Sequence, residues 1–107
     1  MQRTLQGFAE RWGGQLTRIS RQSVGDTLSY LYGSPADRPI LLLAHLDTVH
    51  PLGSLKLAPW RIKDRRAFGP GVFDDKSGLV MAMEALKQVI VTSPAMAATD
   101  AVAHHCR

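Results

Sequence analysis

Apolar residues in the first turns fall at Leu5, Phe8, Ala9 and Trp12. These are spaced as i, i+3, i+4 and i+7, which lays a single apolar stripe along an α-helix. Gly13-Gly14 follows and predicts the end of that helix, since glycine supplies the left-handed conformation that closes one. The period then changes. Residues 15–20 alternate poorly but suit a strand, whereas 27–32 alternate well, with Leu28, Tyr30 and Tyr32 on one face and Thr27, Ser29 and Leu31 on the other. Residues 33–39 have the Gly, Ser, Pro and Asp content of a loop.

Residues 40–44, ILLLA, are apolar at every position, which predicts a central strand covered on both faces. Trp60 and Ile62 alternate with Arg61 and Lys63, and Asp64-Arg65-Arg66 supplies the turn of a shallow hairpin leading to Phe68. Gly69-Pro70-Gly71 predicts a tight turn. Asp74 and Asp75 follow at an expected helix start, where carboxylates complement the helix dipole. Leu79, Met83, Leu86 and Ile90 then mark the buried stripe of a helix over about 75–90. Beyond it, residues 91–107 show no amphipathic stripe and read as an atypical tail on a partial domain at 1–90.

Composition narrows the function classes. With 107 residues, 45% hydrophobic and 21% charged, the chain suits one ordinary globular domain. No apolar run approaches the ~20 residues of a membrane span, and the N-terminus lacks the apolar core of a secretory signal, so the expected compartment is the cytoplasm. A single cysteine, Cys106, excludes an internal disulfide. The net charge of +4 comes from scattered basic residues. Their one local cluster, Arg61, Lys63, Arg65 and Arg66, falls on the expected hairpin, so no nucleic-acid partner is expected. Lys76-Ser77 follows a glycine-bearing turn, but a phosphate-binding loop would need glycine where Pro70 and Asp75 stand.

The candidate chemistry gathers around residues 40–78. His45 and Asp47 are two apart and point the same way from a strand end, in the crevice where open α/β sheets bind ligands. An imidazole can ligate zinc while a carboxylate holds its other ring nitrogen, and Asp74 adds a hard oxygen. The same spacing also suits a surface histidine beside an aspartate, with a second aspartate capping a helix. His50 reads as a loop histidine, and His104-His105-Cys106 as an incidental terminal tract.

His45-Leu46-Asp47-Thr48-Val49 and Gly69-Pro70-Gly71-Val72-Phe73-Asp74-Asp75-Lys76-Ser77-Gly78 together resemble the two N-terminal signatures of a dinuclear zinc family. That family includes glutamate carboxypeptidase, acetylornithine deacetylase, succinyl-diaminopimelate desuccinylase and aminoacylases. The resemblance implies a piece of a three-layer α/β/α zinc hydrolase catalytic domain, without the family's dimerisation domain. It implies an N-acyl amino acid or peptide substrate and two zinc ions. His45 would be a ligand to one zinc, Asp74 would bridge both, and Asp47 would be the catalytic-site carboxylate that orients His45. A cis peptide bond is implied at Asp74–Asp75. Ser77 stands where the family favours glycine.

The resemblance also implies an adjacent glutamate pair, the first acting as base and the second as zinc ligand. This sequence has two glutamates, Glu10 and Glu84, and they are not adjacent. Asp100, His104 and His105 lie in the tail without the family's surrounding pattern. Three readings follow: the N-terminal half-site of a zinc amidohydrolase, inactive alone; a non-catalytic docking module; or a gene remnant whose reading frame shifts after about Gln88.

Overall fold

The computed structural model describes residues 1–33, 40–93 and, as backbone, 99–104. The first helix, α1 (Gln2–Trp12), buries Leu5 and Ala9. It closes where Gly13 adopts a left-handed backbone (φ 79°) and the Gly14 N–H donates to the Ala9 carbonyl at 2.8 Å. Position 14 admits no side chain, because a Cβ there would stand 2.7 Å from the Tyr32 ring. Strand β1 (Gln15–Ile19) then pairs antiparallel with β2 (Thr27–Tyr32).

Strand β3 (Ile40–His45) is followed by a single turn of helix, α2 (Ser54–Leu57), and by a hairpin of β4 (Arg61–Lys63) and β5 (Arg66–Phe68). Asp64 and Arg65 both take positive φ (49° and 61°), the two-residue turn whose twist matches the flanking strands. Helix α3 spans Ser77–Thr92. Strand β6 (Thr99–His104) completes a four-stranded sheet in the order β1-β2-β6-β3, antiparallel to β2 and parallel to β3.

The alternating strand behaves as its pattern requires. Leu28, Tyr30 and Tyr32 are buried and join Leu5, Ala9, Leu46, Leu79 and Leu86 in the core. Phe8, Trp12, Ala44, Met83 and Ile90 pack against that core. Both long helices therefore cover the same face of the sheet, as two layers of a mixed helix and strand fold. In register, Tyr30 pairs with Ala101 and Leu28 with Ala103.

Three expectations need correction. β3 is at the sheet edge, and Leu41 and Leu43 are 59% and 65% exposed. β6 takes the central place beside β2, and no described element covers the outer face of β3. Residues 99–104, read as part of a tail, form a sheet strand. Alanine-rich segments have weak strand propensity, so the pairing comes from neighbours rather than from a local pattern. Helix α3 starts at Ser77, with no acidic residue in its first turn and no side-chain cap. Asp74 and Asp75 precede it in a turn. The loop expected at 33–39 lies, apart from Gly33, outside the described residues.

Candidate functional site

Strand β3 ends at His45, where the chain leaves the sheet. Leu46 turns into the core, so the residues on either side of it project together from the strand end. His45 Nδ1 stands 2.9 Å from Asp47 Oδ1, and His45 Nε2 stands 3.1 Å from Asp74 Oδ1. The imidazole is thus held between two carboxylates. Hydrogen bonds to Asp74 and then Asp47 raise the His45 pKa above its ordinary value, against a smaller opposing effect of burial. With both ring nitrogens protonated, each donates to one carboxylate. With Nδ1–H donating to Asp47, the neutral ring presents a lone pair on Nε2 towards Asp74.

The turn 72–76 brings Asp74 to this position. Gly71 enters it with a left-handed backbone (φ 72°), and the Lys76 N–H donates back to the Gly71 carbonyl at 3.0 Å. Asp74 itself is extended (φ −125°, ψ 99°), and the Asp74–Asp75 peptide bond is cis, as the resemblance implies. A Cβ at Gly78 would collide with the Asp75 carboxylate, so glycine there leaves room for that side chain. Ser77, the departure from the family pattern, donates its hydroxyl to the Phe73 carbonyl at 3.3 Å and leaves the turn intact.

The other candidates stand apart. His50 donates its backbone N–H to Thr48 Oγ1 at 3.4 Å. Glu10 accepts a hydrogen bond from Gln6, and Glu84 accepts from Lys87 and Gln88 on the exposed side of α3. His105 and Cys106 lie outside the described residues. Among the described residues, no group of three or more His, Cys, Asp or Glu is arranged to hold a metal ion. Geometry gives the reason: Asp47 and Asp74 address opposite nitrogens of one ring, so a single ion can meet only His45 Nε2 and Asp74. The sequence reading set His104 aside as part of an incidental terminal tract. His104 is paired in register with His45, and its only sequence signal was an adjacent histidine pair in an otherwise featureless stretch.

Comparisons with known proteins give the family. Residues 41–101 match peptidase family M20/M25/M40. Carboxypeptidase G2 from Pseudomonas sp. (strain RS-16) is 38% identical over 64 residues, an alignment covering 60% of this chain and 15% of that protein. The chain thus spans a small part of the length of the curated relative it matches. The family match covers more than half of the sequence and includes His45, Asp47 and Asp74. The chain belongs to peptidase family M20/M25/M40.

Proposed function

We propose that this chain carries the N-terminal half of a zinc-dependent amide hydrolase site, of the kind that cleaves N-acyl amino acids or peptides ending in glutamate. The observation that supports this best is the Asp47–His45–Asp74 chain of contacts, with both ring nitrogens of one histidine committed. The donor set fits zinc: imidazole nitrogen and carboxylate oxygen are its ordinary ligands. When bound, zinc polarises an amide carbonyl and activates an attacking water. His45 would offer Nε2, Asp47 would fix the tautomer by accepting the Nδ1 proton, and Asp74 would supply the carboxylate that helps hold both ions. Leu41 and Leu43 lie where the second helical layer of a three-layer α/β/α domain would pack.

Among the described residues, no glutamate is placed to accept the proton in amide cleavage. Glu84 is held below its ordinary pKa by Lys87 and Gln88, so it is a poor base, and Glu10 is engaged on α1. Purified protein with added zinc is expected not to hydrolyse N-acyl glutamates. Zinc-dependent turnover that disappears in His45→Ala would overturn this part of the proposal.

A second reading, a docking module, is favoured by the exposed apolar residues of β3 at the sheet edge. Concentration-dependent sedimentation of the polypeptide, reduced in Leu43→Lys, supports it; a monomer at all concentrations opposes it.

A further inference from the structure

The excursion at 55–68, LKLAPWRIKDRRAF, is exposed at every residue. It carries five basic residues, Lys56, Arg61, Lys63, Arg65 and Arg66, against one acidic residue, Asp64. The rest of the sequence has eight basic and eight acidic residues, so the entire net charge of +4 lies in this excursion. Among the described residues, none of the five basic side chains forms an ion pair. The hairpin gathers three of them on one side. Arg61 is paired with Phe68 and Lys63 with Arg66, and directly paired residues share a face. The Arg61 guanidinium accordingly lies over the Phe68 ring, 4.9 Å from its centroid. Apolar residues beside this face are equally open to solvent: Leu55, Leu57 and Trp60 are 61%, 90% and 58% exposed.

We propose that residues 55–68 form a surface that adsorbs to anionic lipid bilayers. Unpaired cations alone suit any polyanion, but the exposed leucines narrow the choice. A nucleic acid offers phosphates and stacking bases, and neither gives an aliphatic side chain a place to leave water. A bilayer interface accepts both kinds of group. Lysine and arginine meet the headgroup phosphates, while leucine and tryptophan enter the boundary between headgroups and acyl chains. The contact is peripheral, since no helix among the described residues is long and apolar enough to cross a membrane. It uses none of His45, Asp47 and Asp74, and so stands apart from the zinc reading.

The test is co-sedimentation of the polypeptide with vesicles of phosphatidylcholine alone, or of phosphatidylcholine and phosphatidylserine in equal parts. Binding is expected on the mixed vesicles only, and it should weaken as salt rises. Lys63→Gln combined with Arg66→Gln is expected to weaken it roughly 25-fold, at about fivefold for each basic residue near the surface. Arg3→Gln combined with Arg21→Gln removes the same charge from exposed positions elsewhere and is expected to leave binding unchanged. In a Trp12→Phe background, mixed vesicles should shift the Trp60 emission to the blue. Equal binding to both vesicle types, or equal loss in the two double variants, overturns the proposal. Tighter binding to a single-stranded oligonucleotide than to the mixed vesicles also overturns it. If the Lys63 and Arg66 variant fails to fold, the Trp60 emission decides: an unshifted spectrum on mixed vesicles overturns the proposal.

Discussion

The two faces of the sheet differ in kind. On the helix-covered face, β2 alternates, and Leu28 is 1% exposed beneath α1 and α3. On the opposite face, β3 shows Leu41 and Leu43 to solvent. The first strand carries its instructions locally: period two, aromatic residues, and two amphipathic helices whose stripes fit it. The second is apolar at every position, so its sequence specifies burial without specifying what provides it. An alternating strand names its covered face; a uniform one only asks for cover.

That contrast can be broken by mutation. Leu28→Ala is expected to destabilise the protein by about 2–5 kcal/mol, as deletions in a packed core do, read by urea denaturation; a loss within experimental error would mean the face is not packed. Burial pushes the Tyr32 phenol up to about 12. A group whose pKa is raised on folding contributes stability that is complete below its unfolded value, near 10, and is lost as pH rises through the folded one. Melting curves from pH 9 to 11.5 should therefore show a decline of about 2 kcal/mol. The decline should be smaller in Tyr32→Phe, and an identical decline there would assign it elsewhere.

Asp47→Asn sharpens the comparison at the strand end. It removes the carboxylate that accepts from His45 Nδ1 and is expected to lower zinc affinity roughly 10–100-fold, with folding unchanged by circular dichroism. Equal affinity would mean that Asp47 does not orient the ring. Leu43→Ala on the open face is expected to change stability by no more than about 0.5 kcal/mol. A loss approaching that of Leu28→Ala would show that this face is covered in solution.

The same contrast explains what the sequence could convey. The helices, the alternating β2 and the hairpin were legible because each has a local cause: a 3.6 period, a period of two, or a turn; the spaced motif singled out His45, Asp47 and Asp74, and their side chains do meet. The edge position of β3 was not legible, because strand order is set by the partner that inserts beside it. β6 was missed for a related reason: its alanines give no stripe and little strand propensity. Asp74 and Asp75 were read as helix-starting carboxylates from their place before an apolar run. The backbone uses them differently, aiming Asp74 at His45 and beginning the helix only at Ser77.

The central proposal is that His45 and Asp74 form half of a zinc site, in a sequence whose two glutamates, Glu10 and Glu84, do not form the adjacent pair that would complete it. Zinc titration and an N-acyl glutamate hydrolysis assay on the same purified sample address both parts of it. The account predicts zinc binding that depends on His45 and Asp74, with no turnover above the His45→Ala background. Zinc binding unaffected by His45→Ala, or zinc-dependent hydrolysis abolished by that substitution, would contradict it.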